Sequence, residues 1–489
     1  MNGNYFSSIF SFCLCKEGMV KGELLERFEI SRRFGDYILY TDSRTPVDYA
    51  ESDGRELAVF GYAVDVFSGK SDGLAKAMLD SAADIDGVVK CEEKLGGKYV
   101  VFYAENGKCF CLGDATCSVP LFYGNGVCTC YTRLIAQNFE LEKDPYLRQI
   151  RDSGKLAQPM PYDTTPYKEI KRLLPNHYLD MDECRSVRFI NSSVKQKRIT
   201  AKQAADITSP MVENITKMFD SKFKLYCPLT GGKDSRVIYA YLKNLSGENV
   251  DSYTVWFDRF EADGQDWDIP VELAKQGKTS HKQVRFEIVS NDAKAAMDDL
   301  LEADGYSPEA FLLALTLYEH FSDGAILEGD ILGQIGKNSL HRNIPARLAS
   351  PSYFRCKIHN FSEGAKHCMK EWMDDVKASY EQVNIMDLFS VENRLGVWAA
   401  NTHLVRNGIG LVNLNVFNSR SIIYVWTAAD KKERMKSMLH IELIKIICPD
   451  VLHVPFGQDK GLMKFAKSSV PIFYFSTFLK YYIQKRNFR

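Results

Sequence analysis

Tyr226-Cys227-Pro228-Leu229-Thr230-Gly231-Gly232-Lys233-Asp234-Ser235-Arg236 is the stretch around which this chain is organised. Residues 225–229 form an apolar run that predicts a short buried strand, and residues 237–242 predict a helix. The two glycines between them allow a ligand to approach the backbone, because neither carries a Cβ atom. The N–H groups of such a turn, together with the positive end of the following helix, favour a bound phosphate.

Asp234 is the unusual residue of this turn, because a carboxylate beside phosphates is repelled unless a divalent cation lies between them. We therefore interpret Asp234 as a Mg²⁺ ligand. The stretch is not a Walker A loop, since Lys233 is followed by Asp234 instead of Ser or Thr. A strand–turn–helix without a ligand is the alternative. The nucleotide-binding residues predicted here are Leu229, Thr230, Gly231, Gly232, Asp234 and Ser235.

The bulk composition describes an ordinary soluble protein of more than one domain. The 489 residues are 45% hydrophobic and 26% charged, with a formal net charge of −1, so no global field attracts nucleic acid. Thirteen cysteines and the lack of an evident signal peptide predict reduced thiols and a cytoplasmic location. No apolar run is long enough to span a membrane. Residues 470–475 and the basic segment after them leave peripheral membrane contact open, although packing of an aromatic helix on the core is favoured.

The first 190 residues show a β-rich pattern. Short apolar runs divided by Gly, Asn and Asp turns lie at residues 37–40, 57–60, 99–103 and 109–112, with a helix at residues 73–82. The pairs Cys109-x-Cys111 and Cys128-x-Cys130 would allow a four-thiolate zinc site. Core packing is the favoured interpretation, because this spacing simply places two small side chains on one face of a strand.

From Ala201 onward, helices alternate with short apolar strands, which indicates a parallel α/β sheet. The run from residue 325 predicts a strand that ends in a loop containing Gly329 and Asp330. The carboxyl ends of parallel strands are where ligands bind, so a second carboxylate opposite Asp234 would complete a Mg²⁺–pyrophosphate site. We assign that role to Asp330, with Glu328 as a weaker candidate; an ordinary Gly-Asp turn is the alternative.

The string TGGKDSR resembles the SGGxDS pyrophosphatase loop of the N-type ATP pyrophosphatases, and the surrounding chain is most similar to the asparagine synthetase and β-lactam synthetase family. The resemblance implies two domains. Residues 1–190 would form a degenerate glutamine amidotransferase-like domain, an N-terminal nucleophile (Ntn)-type αββα sandwich. Residues 200–489 would form an adenine-nucleotide α-hydrolase-like ATP pyrophosphatase domain with a parallel sheet and a helical C-terminal part.

Several positions depart from the family pattern. Residue two is Asn2, where the family uses a cysteine nucleophile, and Phe60-Gly61-Tyr62 replaces its Asn-Gly-Glu triplet, so we expect no glutaminase activity. Val412 stands at the family's acidic position, which argues against plain asparagine synthesis and favours relatives from polysaccharide and natural-product pathways. Residues 454–461 resemble a late segment whose lysine contacts phosphate, which implies Lys460 as a catalytic residue, with Lys464 as the fallback.

The resemblance thus implies an ATP- and Mg²⁺-dependent carbon–nitrogen ligase that forms AMP and pyrophosphate. It would adenylate a small-molecule or peptide carboxylate for attack by ammonia or an amine. Asp330 and Lys460 are its expected catalytic residues, and Asp234 and Asp330 its expected metal ligands. A lasso-type peptide macrolactam cyclase and a non-catalytic ATP-binding scaffold or sensor are the alternatives, and a homodimer is left open.

Overall fold

The computed structural model describes residues 8–152, 160–189, 197–256, 264–285, 308–360, 362–379, 383–457 and 469–486. Its first part contains five helices: α1 (Gly22–Leu25), α2 (Leu74–Ser81), α3 (Ile85–Glu92), α4 (Thr132–Asn138) and α5 (Pro145–Asp152). The strands of this part are β1 (Phe12–Cys15), β2 (Ile30–Phe34), β3 (Tyr37–Thr41), β4 (Val47–Ser52), β5 (Arg55–Asp65), β6 (Leu95–Glu105), β7 (Lys108–Gly113), β8 (Phe122–Gly124), β9 (Val127–Thr129), β10 (Lys171–Arg172), β11 (His177–Asp180) and β12 (Arg185–Arg188).

These twelve strands form two antiparallel six-stranded sheets that pack face to face. Their orders are β10-β8-β9-β1-β3-β2 and β12-β11-β7-β6-β5-β4. Between the sheets, the ring of Phe12 lies 5.9 Å from that of Phe60 and 5.2 Å from that of Phe102. Helices α2 and α3 cover the outer face of the second sheet, and α4 covers that of the first. The layers are therefore helix, sheet, sheet and helix, with an aromatic core in the middle.

The cysteines of the two Cys-x-Cys pairs lie in this apolar core. Cys109, Cys111, Cys128 and Cys130 are all buried in the cluster between the two sheets, and all thirteen cysteines are free thiols. Burial raises the pKa of Cys130 to about 12, so its thiol stays protonated at neutral pH. These surroundings support the core-packing interpretation of the pairs.

The remaining strands form a parallel five-stranded sheet: β13 (Leu225–Pro228), β14 (Asp251–Val255), β15 (Ser280–Val284), β16 (Ala325–Leu327) and β17 (Val412–Leu414). The helices of this part are α6 (Ala201–Asp220), α7 (Asp234–Ser246), α8 (Gln265–Gly277), α9 (Pro308–Phe321), α10 (Pro351–Lys357), α11 (Glu363–Asp375), α12 (Ile385–Phe389), α13 (Ala400–Gly408), α14 (Arg420–Ala428), α15 (Lys431–Met435), α16 (Met438–Ile447) and α17 (Val470–Arg486). Two π-helical segments (Leu332–Gly336 and Ser390–Ala399) and three 3₁₀ turns (Ala346–Leu348, Val376–Ser379 and Pro449–Leu452) complete the list.

The order of the parallel sheet is β15-β14-β13-β16-β17. The chain runs outward from β13 through β14 to β15 and then returns to the other side of β13 with β16 and β17. The strand order therefore reverses between β13 and β16, and a crevice opens at the carboxyl ends of strands at such a point. Both predicted loops, at Asp234 and at Asp330, follow these two strands.

Two details differ from the sequence-based expectations. The last third of the chain is not purely helical, because residues 412–414 form β17, paired with β16 through Ala325↔Val412. A three-residue strand is too short to show a period of its own. The expected Gly-Asp loop is also shorter than predicted, since a helical segment begins at Asp330 and continues into the π-helical turn Leu332–Gly336.

The first pair of sheets is joined to the parallel sheet through buried polar contacts. Lys98 on β6 is almost fully buried, and its Nζ donates to Oδ1 of Asn407 (2.8 Å) and of Asn413 (3.0 Å). Next to it, the backbone of Gly97 exchanges hydrogen bonds with Asn418. Burial lowers the pKa of Lys98 well below its usual value. These contacts fix the end of β6 against the residues around β17.

Helix α17 carries the aromatic run for which the sequence left membrane contact open. One of its faces packs on α10, where Tyr474 stacks on Tyr353 at 5.6 Å between ring centroids. The predicted packing of an aromatic helix on the core is therefore present. No helix among the described residues is both long and apolar enough to cross a membrane.

Candidate functional site

The loop after β13 is held by hydrogen bonds at both of its ends. Leu229 extends the sheet by one residue, since its N–H donates to Tyr253 O at 2.7 Å and Thr254 Oγ1 donates to its carbonyl. At the other end, Thr230 N donates to Ser235 Oγ at 3.1 Å, and the two hydroxyl oxygens also lie 3.1 Å apart. The loop therefore closes onto the first turn of α7. Its six predicted binding residues lie together at the crevice.

The two glycines of the loop have different surroundings. Gly231 packs against the start of α8: its N–H donates to Asp266 Oδ1 (3.0 Å), and a Cβ there would lie 2.9 Å from Gln265 O. At Gly232, a Cβ would meet only the Thr230 hydroxyl within 4 Å among the described residues. Gly231 is therefore required by packing, whereas a Cβ at Gly232 would crowd only a side-chain hydroxyl among the described residues.

The sequence predicted that the N–H groups of this turn are free for a phosphate, and the structure corrects this for the glycines. Gly231 N donates to a carboxylate, and Gly232 N donates to Thr230 Oγ1 at 3.2 Å. The first turn of α7 is different, because Lys233 at its N-cap makes no side-chain capping hydrogen bond. The N–H groups at the start of a helix lack intrahelical partners, so this end of α7 is the better place for an anion.

Asp234 opens α7 and lies against the segment that follows β16. A Cβ on Gly333 would be 3.1 Å from Asp234 Oδ2, and one on Gly329 would be 3.5 Å from Asp234 Cβ. The two predicted loops therefore meet, and glycines on the second loop make the close approach possible. Tertiary structure thus places Asp234 within the crevice between β13 and β16.

The close partner of Asp234 is His440 on α16, a residue that the sequence did not single out. His440 Nε2 lies 2.6 Å from Asp234 Oδ1, and the histidine side chain is fully buried. Burial by itself would raise the pKa of Asp234, but the hydrogen bond from His440 and two nearby lysines, Lys337 and Lys233, lower it below its usual value. Asp234 is therefore ionised at neutral pH.

Asp330 has a separate set of partners. Its Oδ1 accepts hydrogen bonds from Asn415 Nδ2 (2.6 Å) and from Ile331 N (2.9 Å). Burial raises the pKa of Asp330, and the nearby His403 opposes this increase. The side-chain and backbone hydrogen bonds named above thus fall on Oδ1 of Asp234 and on Oδ1 of Asp330.

Glu328, the weaker candidate, is enclosed by basic and polar side chains. Its carboxylate is paired with Arg406, lies 2.6 Å from His403 Nε2, and accepts from Asn413 Nδ2 at 3.1 Å. Burial lowers the pKa of His403 to about 4, so the imidazole is neutral at pH 7. With three protein partners, Glu328 is better suited to supporting the crevice than to holding a cation.

The residues around Phe456 dock directly onto the loop after β13, residues 229–233, which we call the nucleotide loop because a nucleotide is predicted to bind there. Arg236 on α7 is fully buried; it donates to the carbonyls of Val454 and Pro455, and its guanidinium lies 4.0 Å from the centroid of the Phe456 ring. Gly457 N then donates to Gly231 O at 2.9 Å. Lys460 and Lys464 lie outside the described residues.

Two positions depart from the glutaminase pattern of the family that the sequence resembles. Asn2 lies outside the described residues. Tyr62 packs its ring against Phe10 at 5.9 Å and against Phe223 at 4.8 Å between centroids. Tyr62 of the Phe60-Gly61-Tyr62 stretch, which replaces the Asn-Gly-Glu triplet of the family that the sequence resembles, therefore lies in an aromatic cluster.

The site also contains buried basic residues whose partners no local pattern could identify. His440, Arg236 and Arg406 come from three separate helices, and each is buried with its polar head at the crevice or at the segment docked on it. A buried charged residue in an otherwise apolar helix face is the only sequence signal that such residues leave. Within the described part of the chain, no three His, Cys, Asp or Glu side chains group together as a metal site.

Comparisons with known proteins give only remote matches. No family model matches the chain, and no curated protein does. Among solved structures, a glutamine-dependent NAD⁺ synthetase from Acinetobacter baumannii with ADP is 12% identical with a TM-score of 0.21, covering 49% of this chain and 61% of its own. An NH₃-dependent NAD synthetase from Campylobacter jejuni is 11% identical with a TM-score of 0.20, covering 42% and 93%.

A third match is the glutamine phosphoribosylpyrophosphate amidotransferase from B. subtilis with ADP and GMP. It is 10% identical with a TM-score of 0.25, covering 69% of this chain and 72% of its own. This chain spans less than two thirds of the Acinetobacter synthetase. Identities and TM-scores in this range assign neither fold nor function, so the proposals below rest on the residues of this chain.

Proposed function

We propose that this protein is an ATP-dependent carbon–nitrogen ligase of the asparagine synthetase-like kind. It adenylates a carboxylate with release of pyrophosphate, and ammonia or an amine then displaces AMP to form an amide. The observation that carries the proposal is the TGGKDS loop at the switch point of a parallel sheet, followed by a helix whose first turn has no side-chain cap. That combination supplies an anion site in the crevice where such sheets bind ligands.

The residues present fit a triphosphate and its cation. Gly232 carries no Cβ, so phosphate oxygens can approach the backbone at the start of α7 closely. Asp234 and Asp330 are the carboxylates that we assign to Mg²⁺, which usually takes one or two carboxylates and fills its other positions with water and phosphate. When bound, Mg²⁺ would neutralise charge on the leaving pyrophosphate. His440 positions the Asp234 carboxylate, and Lys460 is the residue that we propose to supply positive charge to the reaction.

The first pair of sheets is proposed to be a degenerate Ntn-type domain, residues 1–190, that lacks glutaminase activity. Its helix–sheet–sheet–helix layering supports this proposal, as does the aromatic Tyr62 at a position that would otherwise bind glutamine. Nitrogen would then come from free ammonia or from an amine substrate. Residues 200–489 would form the synthetase domain, and we propose a cytoplasmic location for the whole chain.

The test is pyrophosphate release from ATP and Mg²⁺ in the presence of a panel of carboxylates, namely aspartate, uronic acids and peptides. Wild-type protein should release pyrophosphate with at least one acceptor, and Asp234→Ala should lower the rate by about 10²-fold or more. Asp323→Ala is the matched control. Asp323 precedes β16 and so lies at the amino end of the parallel strands, opposite the crevice, where its Oδ1 accepts a hydrogen bond from Tyr226 OH. Full activity in Asp234→Ala would refute the proposal.

A non-catalytic ATP-binding scaffold or sensor is the second candidate. The specific observation in its favour is that Asp234 is already hydrogen-bonded to His440 and that both loop glycines donate to protein atoms. Such a protein would bind ATP in calorimetry and release no pyrophosphate with any acceptor. A small precursor peptide that serves as acceptor would instead identify the macrolactam cyclase alternative.

A further inference from the structure

The π-helical segment Ser390–Ala399 forms one wall of a small cavity. Its wide turn ends where the Ala400 N–H donates to Leu395 O, five residues back. Such turns are rare in proteins and occur frequently at functional sites. The cavity has about 240 Å³ of space between protein atoms, its open mouth included. Sites for drug-sized ligands have about 300–1,000 Å³, so this one can hold only a small molecule.

Asn393 lines this cavity, and neither end of its side-chain amide has a protein partner. The residue is only 2% exposed, and both Nδ2 and Oδ1 lack a hydrogen bond to any described residue. Nearly all buried polar groups in proteins are hydrogen-bonded, because a buried donor or acceptor without a partner costs free energy. The amide therefore offers one donor group and one acceptor to a molecule in the cavity.

Arg394 adds a positive charge to the same cavity. Its side chain is only partly exposed, its Nε has no hydrogen-bond partner, and no carboxylate of the described residues forms an ion pair with it. Trp398 packs on the guanidinium, with 4.5 Å between Cζ and the ring centroid. Burial lowers the pKa of Arg394 to about 10, and the charge of Asp330 opposes this decrease. The guanidinium is therefore charged at neutral pH without the paired anion that a largely buried charge usually has.

The remaining lining of the cavity is apolar or aromatic and consists of Met160, Pro161, Ile358, Val397 and Trp398. A carboxylate matches this lining, because its single charge and planar shape pair with one guanidinium. A phosphate matches it less well, since its higher charge would need a second basic group, and no other lining residue is basic. The lining is thus suited to one carboxylate carried on a short apolar body.

We propose that Asn393 and Arg394 form a binding site for a small carboxylic acid with a short apolar body. The carboxylate lies against the guanidinium and the amide, and the body lies against the apolar walls. The site adjoins the crevice, since the π-helical segment packs on the turn Leu332–Gly336, which follows Asp330. The inference does not depend on the proposed ligase activity, because no lining residue belongs to the nucleotide loop or to the proposed metal ligands.

The experiment is a saturation-transfer NMR titration of the full-length protein with butyrate, in the absence of ATP and Mg²⁺. The wild type should bind butyrate saturably, and it should not bind butylammonium, which has the same body and the opposite charge. Arg394→Gln should weaken butyrate binding by about tenfold or more, because it removes the charged donor. Arg394→Lys should weaken it less, because lysine keeps the charge without the planar fork. The matched control Arg33→Gln removes an exposed arginine on β2 and should bind as the wild type does.

Thermal unfolding separates this binding role from a structural one. Butyrate should raise the Tm of the wild type and of Arg33→Gln but not that of Arg394→Gln, because a ligand stabilises only the folded protein that binds it. Without butyrate, Arg394→Gln should unfold at or above the wild-type temperature, since it removes an unpaired charge from a largely buried position.

Four results would overturn the proposal. These are a wild type that does not bind butyrate, equal butyrate binding by Arg394→Gln, equal binding of butylammonium by the wild type, and a lower Tm of Arg394→Gln without ligand. In the first case an ordered water alone would fill the cavity, and in the last the arginine would serve the fold. All four are read without ATP, so they are distinct from a failure of the ligase proposal, which pyrophosphate release tests.

Discussion

Arg236 is predicted to be the anchor that holds residues 454–457 on the nucleotide loop. It donates to the carbonyls of Val454 and Pro455 and stacks on Phe456. Arg236→Met keeps most of the apolar contact and removes both hydrogen bonds. Hydrogen bonds from a charged donor contribute about 1.5–3 kcal/mol each, or about 3–6 kcal/mol in total.

Part of this contribution is offset by the cost of burying the guanidinium. Burial lowers the pKa of Arg236 to about 10, which reflects that cost, and methionine does not incur it. We therefore expect a net loss of about 3 kcal/mol in the docking of the segment. One tenfold change corresponds to about 1.4 kcal/mol, so local opening should become about 100-fold more frequent.

The assay is hydrogen exchange of the Gly457 amide, which donates to Gly231 O. Arg236→Met should accelerate the exchange of this amide by about two orders of magnitude. Arg236→Lys should accelerate it less, because lysine keeps the positive charge but lacks the planar guanidinium that donates to both carbonyls at once. Leu112→Ala is the control: Leu112 is buried in the first sheets, and its truncation lowers the global free energy of unfolding by about 2–5 kcal/mol.

Because the opening of the segment is local, Leu112→Ala should leave the Gly457 amide unchanged. The reasoning is refuted if Arg236→Met changes Gly457 exchange by less than about threefold, or if both variants accelerate it equally. In the ligase assay, Arg236→Met should also lower turnover, because residues 454–457 lead directly to Lys460.

Two further predictions concern stability. Gly231→Ala should lower the free energy of unfolding by about 1–3 kcal/mol, because its Cβ would lie 2.9 Å from a backbone oxygen at the start of α8. Gly232→Ala should lower it less, because its Cβ would meet only a hydroxyl at 3.2 Å. Urea unfolding of the two variants checks this difference. Burial opposes ionisation of Asp375, but hydrogen bonds from His177 and Arg188 lower its pKa to about 2. The ionised Asp375 therefore stabilises the folded protein at pH values above about 3.9, the pKa of an aspartate in the unfolded chain. This contribution is lost as the pH falls towards 2. Between these pH values the free energy of unfolding of the wild type should fall by about 1–2 kcal/mol relative to that of Asp375→Asn.

The local elements around the nucleotide loop could be predicted from sequence because their signals are local. The apolar run of β13, the Gly-Gly turn and the apolar face of α7 lie within about twenty consecutive residues, and each element is present. The parallel sheet also followed from the alternation of helices and strands. Strand β17 was not predictable in this way, because its three residues become a strand only by pairing with β16.

The partners of the site residues were decided by tertiary structure. His440 meets Asp234 across 206 residues of chain, and Lys98 meets Asn413 across 315. No periodicity or spacing encodes such pairs, since each depends on how separate elements pack and on which buried polar group needs a partner. The sequence by itself determined that a Gly-Gly turn lies between a parallel strand and a helix. Only the packed structure decided which turn N–H groups donate to protein atoms, which carboxylate oxygens accept hydrogen bonds, and which face of α17 is left in solvent.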